Sequence, residues 1–382
     1  MNILIDAHMV GEQQTGNETY IVNLSAALQD LGTTDTYFFA VTDPDALGQY
    51  VRYCKHFRPV RVSSNPATRL LADIPAVIRN DQIDVAHFSY FAPPFASCPF
   101  VLTIHDIAFK RNPNWFSPRD RVVLNFGVHT SIRRARAILT VSNHAKSEIC
   151  SLLHVPEDMV KVTYEAAGKE FTPASDGECS FAERRLDALG VSRPYFLAVG
   201  NLQPRKNLRR LLEAFSLLKR SDNVPHKCVL AGQKQWGGNE IKRLAQELGI
   251  QQDVVLTGFV NSADIRLLYH QADVFVYPSL YEGFGLPILE AMASGTPVVT
   301  SNAASMPEVA GDAAVLVDPS RTESIADGIR QIISDKALGV ALRARGAKQA
   351  RSFSWLRTAE QTHSVYRDVV ANTMKVRQKQ IA

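Results

Sequence analysis

The feature that most constrains the fold of this chain is a regular alternation of short apolar runs with longer helical patterns. The runs are rich in Val, Ile, Leu and Phe and lack polar alternation, which is typical of strands buried on both faces of a parallel sheet. Strands are expected at 2–6, 36–41, 84–88, 99–104, 136–141 and 160–163, and then at 194–199, 227–231, 253–257, 273–277, 296–300 and 314–317. Two successive sets of six strands, each alternating with helices, predict an α/β chain of two doubly wound, Rossmann-like domains.

A polar, turn-rich segment at 172–178 is the expected seam between the two domains. We therefore assign residues 1–172 to a first domain and residues 179–352 to a second. The total of 382 residues agrees with this division, since domains commonly hold about 100–200 residues.

Several classes of protein lack support in the sequence. No stretch reaches about 18 consecutive apolar residues, so no membrane-spanning helix is expected, and no secretory signal is visible. Five scattered cysteines without a CxxC pair predict neither a disulfide framework nor a zinc site, and the expected compartment is the cytoplasm. Walker A, GxGxxG and GxSxG sequences and a metal-holding DxD pair are also missing, which disfavours kinases, dehydrogenases and serine hydrolases.

Positive charge is concentrated in two segments. Residues 105–146 hold eight Lys or Arg against two acids, a net charge of +6, and residues 351–382 hold six against two, a net charge of +4. Either segment could simply be a solvated basic face. The alternative is a surface that meets anionic lipid headgroups or a diphosphate-bearing acceptor. Nucleic acid is not an expected partner, because no recognition motif accompanies the charge.

The most informative stretch is 277–308, which follows an expected strand. A glycine-containing loop ends at Gly285, and Pro287 suits the first turn of a helix. Backbone N–H groups at such a helix start, together with the helix dipole, favour a phosphate. Glu282 in the loop and Glu290 in the helix can accept hydrogen bonds from sugar hydroxyls. A solvent-facing glutamate at a helix start is the alternative for either one alone, but the complete pattern predicts a binding site.

A second stretch, 199–207, runs from a strand toward the amphipathic helix expected at 208–219. Arg205 and Lys206 fall at the expected start of this helix, and further arginines follow in its first turn. Cations there are disfavoured by the helix dipole by about 0.3–1 kcal/mol each, which a bound anion would offset. A diphosphate is the natural candidate, and exposed surface charge is the alternative.

In the first half, two loops follow strands at the ends where doubly wound domains bind ligands. One is the Gly11–Gly16 loop, whose glycines alone are weak evidence for a ligand-binding site. The other begins with His105, a side chain that can donate to a phosphate or sugar oxygen near neutral pH. A structural role is the alternative for this histidine and for the other strand-end histidines.

Together these residues resemble the retaining, family-four glycosyltransferases of GT-B architecture, over essentially the whole chain. The motifs that carry the resemblance are Glu282-x7-Glu290 within GFGLPxLEAMAxGxPVV, Gly200-Asn201 with Pro204-Arg205-Lys206-Asn207, and Thr257-Gly258-Phe259-Val260. The variant VGNLxPRKN and the HDIAF sequence at 105–109 are similar to the bacterial mannosyltransferase subgroup that builds O-antigen and other surface polysaccharides.

The resemblance implies a nucleotide-sugar donor site in the second domain. By that resemblance Glu290 binds the donor ribose. Glu282 holds the donor sugar together with the backbone of Phe284, Gly285 and Leu286.

The remaining donor contacts implied by the resemblance concern the diphosphate and the base. Arg205 and Lys206 hold the diphosphate, and Phe259 and Val260 border the base. No metal or other cofactor is expected, because cationic side chains and a helix end neutralise the leaving group. The sequence departs from the family at Asn201, where many relatives carry Arg, so Arg205 is expected to carry more of the diphosphate contact.

The resemblance also assigns the first domain to the acceptor. His105 lies near the transferred sugar, and the loop ending at Gly16 approaches the diphosphate or the acceptor. The last helix, within 353–382, crosses back to the first domain. The two basic segments then lie on one domain, which strengthens the interpretation of an anionic acceptor or membrane.

The implied function is transfer of a hexose, expected to be mannose from GDP-mannose, to a lipid-linked saccharide with retention at the anomeric carbon. The expected setting is the cytoplasm, with peripheral association at the inner face of the cell membrane. The alternatives are another donor, such as a UDP- or GDP-linked deoxyhexose, a sugar-nucleotide epimerase of the same fold, and a two-lobed sugar-binding protein.

Overall fold

A computed structural model of the chain describes residues 1–12, 15–173, 179–232 and 238–381. The chain divides into two units, the first made of Met1–Glu165 and Ser354–Ala382 and the second of Ala166–Phe353. Of the expected seam at 172–178, residues 174–178 lie outside the described ranges. Each unit is built on one parallel sheet with helical connections, which confirms the α/β, doubly wound architecture.

The first unit contains a seven-stranded parallel sheet in the order β3-β2-β1-β4-β5-β6-β7. Its strands are β1 (Asn2–Asp6), β2 (Thr36–Val41), β3 (Phe57–Arg61), β4 (Val85–Ser89), β5 (Phe100–Thr103), β6 (Ala137–Thr140) and β7 (Val160–Val162). Its helices before the second unit are α1 (Thr15–Asp30), α2 (Pro44–Gly48), α3 (Pro66–Thr68), α4 (Ile74–Asn80), α5 (Ala108–Arg111), α6 (Pro118–Ile132) and α7 (Asn143–Leu153). In the register of the central strands, Ile3 lies opposite Tyr37 on one side and Val85 on the other.

One strand of this sheet, β3, has no counterpart among the expected strands. Its sequence, FRPVR, carries Pro59 at the centre, and a proline has no N–H to donate to a neighbouring strand. The strand lies at the edge of the sheet, pairing only with β2, where such a residue is tolerated. The twelve expected strands are all present, to within two residues at their ends.

The second unit contains a six-stranded parallel sheet in the order β10-β9-β8-β11-β12-β13. Its strands are β8 (Tyr195–Val199), β9 (Lys227–Ala231), β10 (Val254–Gly258), β11 (Val274–Tyr277), β12 (Val298–Ser301) and β13 (Ala314–Val317). Its helices are α8 (Cys179–Ala188), α9 (Leu208–Ser221), α10 (Gly238–Glu247), α11 (Ser262–Gln271), α12 (Leu286–Ala293), α13 (Met306–Ala310), α14 (Thr322–Ser334) and α15 (Lys336–Arg351). The apolar stripe of α9, with Leu211, Leu212 and Phe215, is buried in the core of this unit, as its spacing predicts.

The last helix, α16 (Trp355–Ile381), belongs to the first unit and packs along α1. A buried chain of hydrogen bonds joins it to the sheet: the His87 ring nitrogens lie 2.6 Å from the Tyr366 hydroxyl of α16 and 2.6 Å from Thr103 Oγ1 of β5. Burial lowers the pKa of His87 to about 3. Among the described helices, none is long and apolar enough to cross a bilayer.

Candidate functional site

The second unit brings its candidate residues together at the carboxyl ends of β8 and β11. These strands are neighbours in the sheet, yet the chain runs outward from β8 through β9 and β10, and outward again from β11 through β12 and β13. The two loops after them therefore diverge and leave a crevice at this switch in strand order, the usual ligand position in open α/β sheets.

The loop after β8 carries the two cations of the predicted site. Arg205 and Lys206 lie in a short 3₁₀ turn, Pro204–Lys206, and α9 begins only at Leu208. The expectation that both cations form the start of the helix is therefore wrong. Asn207, whose backbone is in the left-handed conformation with φ of 59°, separates the turn from the helix.

Asn207 also ties this loop to the loop that follows β11. Its side-chain amide donates to the carbonyl of Pro278 at 3.0 Å and to the carbonyl of Pro319 at 2.7 Å. The backbone N–H of Leu280 in turn donates to the Arg205 carbonyl at 2.8 Å. These bonds fix the distance between the two loops, so the cations of one meet the carboxylate of the other.

That carboxylate is Glu282, whose side chain is only 6% exposed. Arg205 donates from Nη1 to Glu282 Oε2, and Lys206 Nζ lies 2.8 Å from Oε1. Burial by itself would raise the pKa of Glu282, but the two neighbouring cations lower it to about 2. Glu282 is therefore ionised across the physiological range, and the cluster carries a net charge of +1.

Lys206 is held from a second direction by Tyr277, the last residue of β11. Its ammonium donates to the Tyr277 hydroxyl at 2.5 Å and lies 4.6 Å from the centre of the ring. A residue larger than glycine at position 200 would approach the Lys206 Cε at 3.1 Å, and Gly200 has φ of 135°. Glycine at the end of β8 thus leaves room for the lysine stem.

The loop from Glu282 to α12 is braced by one buried hydroxyl. Ser305 Oγ lies 2.9 Å from the Glu282 carbonyl and 2.6 Å from the Phe284 carbonyl. Gly285, with φ of 113°, then turns the chain into α12, whose first turn holds Pro287. Phe284 and Leu286, on either side of Gly285, are buried.

Glu290 lies in α12, eight residues after Glu282, and is partly buried. Its Oε2 accepts a hydrogen bond of 2.8 Å from the Tyr269 hydroxyl. Burial and the adjacent Glu290 carboxylate both raise the pKa of Tyr269, so the hydroxyl stays protonated and donates. This contact orients one carboxylate oxygen.

The other predicted residues of this unit are less closely joined to the cluster. Phe259 follows Gly258 at the end of β10 and is 55% exposed, and Val260 beside it is partly exposed. Arg209 is paired with Glu240 at 3.3 Å, and Arg210 donates to Asn207 Oδ1 at 3.0 Å.

In the first unit, His105 follows β5 and is 8% exposed. Its Nδ1 lies 3.4 Å from Glu165 Oε1, and its ring packs edge-on against Tyr20 with centroids 4.7 Å apart. Nε2 is buried without a hydrogen-bond partner in the part of the chain that the structure describes. The imidazole is thus held through one nitrogen while the other retains its hydrogen-bonding capacity.

The loop predicted at Gly11–Gly16 is only partly described, since residues 13 and 14 lie outside the described ranges. Gly16 is the second residue of α1, so the expectation that it is a loop residue is wrong. The N–H of Gly11 donates to Glu18 Oε1 at 2.8 Å, which links the start of this loop to the first turns of α1.

Three structural contributors were not singled out from the sequence: Tyr277, Ser305 and Tyr269. Tyr277 ends an expected strand next to the predicted loop, a position that could have drawn attention to it. The pairing of Ser305 with the loop carbonyls and of Tyr269 with Glu290 leaves no signal in a single sequence. Within the described residues, no group of three or more His, Cys, Asp or Glu is arranged to hold a metal ion.

The arrangement in the second unit suits an anionic ligand with hydroxyl groups. Arg205 and Lys206 are fixed donors, and a net positive cluster beside the start of α12 attracts phosphate. Glu290, within the same helix, carries a carboxylate that can accept hydrogen bonds from hydroxyl groups.

Comparison with known proteins agrees with this geometry. The family described as Glycosyl transferases group 1 matches residues 183–353, and Glycosyltransferase Family 4 matches residues 15–166. The O-antigen chain mannosyltransferase B of Escherichia coli is 37% identical over 268 residues, which cover 70% of each chain.

Solved structures show the same fold at low sequence identity. Sucrose-phosphate synthase from Thermosynechococcus elongatus superposes with a TM-score of 0.78 at 20% identity, covering 97% of this chain and 100% of the other. Anabaena HepE, in complex with UDP and glucose, gives a TM-score of 0.76 at 19% identity and covers 96% of this chain and 100% of its own.

Proposed function

The chain belongs to the family-four glycosyltransferases of the bacterial mannosyltransferase type, and we propose that it transfers mannose from GDP-mannose to a lipid-linked saccharide during surface polysaccharide synthesis. The observation that carries the proposal is the buried cluster of Arg205, Lys206 and Glu282 at the crevice of the second unit, with Glu290 eight residues further on. The mannosyltransferase relative supports the choice of sugar.

The cluster accounts for the chemistry of the donor. During transfer the bond between the anomeric carbon and the diphosphate oxygen breaks, and negative charge develops on the leaving nucleoside diphosphate. Arg205 and Lys206 are preorganised donors that stabilise this charge, and the start of α12 adds to it. We therefore propose that transfer needs no metal ion.

The acceptor hydroxyl attacks the anomeric carbon on the face that the diphosphate leaves, and its proton passes to the departing phosphate oxygen. This front-side route gives retention without a covalent enzyme intermediate. Glu282 is ionised beside Arg205 and Lys206, and its negative charge stabilises the positive charge that develops on the sugar. His105 is proposed to form a hydrogen bond through its unpaired nitrogen with a hydroxyl of the transferred sugar.

Binding of nucleoside diphosphates, measured by thermal shift, tests the donor site first. A specific ligand at about 100 times its Kd adds about 2.7 kcal/mol of stability. We expect GDP to stabilise the chain more than UDP does, and Arg205→Gln to lose the effect. Arg209→Gln is the matched control, because Arg209 is exposed and paired with Glu240.

Turnover then separates a transferase from the rival functions. We expect GDP to be released from GDP-mannose only when a lipid-linked saccharide is present. Release without an acceptor, or interconversion of the sugar nucleotide, would favour an epimerase. No turnover of any sugar nucleotide, with sugar binding retained, would favour a sugar-binding protein.

A further inference from the structure

Helix α6 of the first unit is apolar on two opposite faces. Its inner face packs into the core through Val128 and Ile132, as a surface helix requires. Its outward face carries Val122, Val123 and Phe126, which are 69%, 53% and 72% exposed. Three large apolar side chains exposed to water do not stabilise the helix, so this face is a candidate binding surface.

Apart from Pro118 and Asp120 in its first turn, the exposed positions of α6 form a single stripe along the helix. They lie at 119, 122, 123, 126, 129 and 130, each three or four residues from another, and Arg133, just after the helix, extends the stripe. The three apolar residues occupy the middle of the stripe, and Arg119 and Arg133 lie near its ends. We call this stripe, residues 119–133, the α6 outer face.

The loop between β4 and β5 is joined to the end of α6 at the buried side of the helix, through Ser131 and the following Arg134. Arg134 Nη1 donates to the Pro93 carbonyl at 2.8 Å, and the Ala92 N–H donates to Ser131 Oγ at 3.0 Å. These bonds join the loop to the end of α6. The same loop exposes Phe95, a large apolar side chain that is 71% accessible.

The charges on α6 and directly after it are predominantly positive, with Arg119, Arg121, Arg133 and Arg134 against the single acid Asp120. The segment 105–146, which contains α6, carries a net charge of +6. The acid on the first turn of α6, Asp120, accepts from Ser117 Oγ at 2.7 Å and is thus engaged in capping the helix. An apolar centre with cationic ends is complementary to a bilayer interface, where acyl chains lie beneath anionic headgroups.

We propose that the α6 outer face docks on an anionic lipid bilayer, with Val122, Val123 and Phe126 inserted among the acyl chains. The inference rests on the proposed function, since it names the lipid surface that carries the lipid-linked acceptor. Insertion of apolar side chains also predicts a salt dependence that differs from that of electrostatic attraction alone. An inserted apolar group keeps part of its binding energy in salt, whereas headgroup attraction is screened within about 10 Å at 0.1 M ionic strength.

The test is co-sedimentation with phosphatidylcholine vesicles, with and without phosphatidylglycerol, at low and high salt and without any donor or acceptor. Replacing Val122, Val123 and Phe126 by Ser together is expected to lower the partition coefficient roughly 100-fold or more. Val340→Ser on α15, which removes a 64% exposed apolar side chain from the second unit, is the matched control and should leave binding unchanged.

Arg119→Gln with Arg133→Gln should weaken binding only to anionic vesicles at low salt, roughly 5-fold for each cation. Phe126→Trp should add to the emission of the three native tryptophans a blue-shifted component that brominated lipid quenches and that the wild type lacks. Stabilisation by GDP should be the same in every variant, because α6 lies outside the donor site. A loss of that stabilisation in the wild type would count against the proposed function and leave the vesicle result intact.

Two results would overturn the docking proposal. One is vesicle binding of the triple Ser variant equal to that of the wild type. The other is a wild-type dimer in analytical ultracentrifugation that the triple variant abolishes while vesicle binding is absent in both, since a second copy of the chain would then cover the face.

Discussion

Replacing Glu282 by Gln tests the central feature of the donor site, a buried carboxylate shared by Arg205 and Lys206. The pKa of Glu282 is lowered from 4.5 to about 2 in the folded chain. The folded state therefore favours the ionised form by roughly 3 kcal/mol over a neutral group of the same shape. Because glutamine resembles that neutral form, we expect Glu282→Gln to cost roughly 3 kcal/mol of stability, or about 6–12 °C in the unfolding of the second unit.

The pH dependence of this loss has a definite sign. A depressed carboxyl pKa stabilises the fold above the unfolded value, and the stabilisation disappears as the pH falls toward the folded value. The difference in unfolding free energy between wild type and Glu282→Gln should be complete above about pH 5 and should shrink as the pH falls toward 2. Chemical denaturation at a series of pH values measures it.

The kinetic consequence follows from the same ion pairs. Glu282 shares its cations with the incoming diphosphate, so its removal cannot weaken the attraction of Arg205 and Lys206 for that group. We expect GDP affinity to be unchanged or greater in Glu282→Gln. Transfer should nevertheless fall, with kcat lowered roughly 10²-fold or more, because a preorganised charge near the developing positive charge of the sugar is lost.

Glu290→Gln is the matched variant, an identical chemical change eight residues away. Glu290 is proposed to bind ribose, which does not change during the reaction, so its loss should raise the donor KM by the equivalent of about 1–3 kcal/mol with little change in kcat. Steady-state kinetics at varied donor concentration compares the two. The reasoning is refuted if both variants change only KM, if both keep full activity, or if Glu282→Gln is as stable as the wild type at neutral pH.

Three further predictions concern other parts of the chain. Ser305→Ala should destabilise the second unit by about 1–3 kcal/mol and lower kcat, because two buried loop carbonyls lose the one hydroxyl donor that they share. Denaturation and kinetics check this, and wild-type values in both would contradict it. His87→Gln should reduce the loss of stability between about pH 6.5 and pH 3, because in this range position 87 is protonated in the unfolded wild type but stays neutral when buried in the fold. An unchanged dependence of stability on pH would contradict the low pKa of His87. Turnover should survive EDTA, and activity that EDTA abolishes and magnesium restores would show a metal requirement.

Much of the fold could be predicted from the sequence because the apolar runs have a clear physical meaning. A run such as that of β4 or β11 is buried on both faces of a parallel sheet, so its composition alone marks it as a strand. The edge strand β3 escaped prediction because Pro59 breaks the pattern, and only its position at the end of the sheet makes that residue acceptable.

The residue types of the candidate donor site were also readable from local sequence. Glu282 and Glu290 stand in one loop-and-helix motif, and Arg205 and Lys206 stand after another strand, so each segment could be interpreted by itself. Which of these groups contact one another could not be predicted from local sequence. The sequence separates Arg205 from Glu282 by 77 residues, and only the order of strands in the sheet makes β8 and β11 neighbours.

Tertiary structure decided the remaining features because they depend on distances between distant segments. The low pKa of Glu282 arises from burial and two cations brought from another loop, and the bracing of that loop depends on Ser305. The outward direction of Phe126 on α6 likewise appears only when the other face of the helix is packed. Periodicity and propensity are local and were visible in the sequence, whereas charge pairing and exposure are set by the whole packed chain.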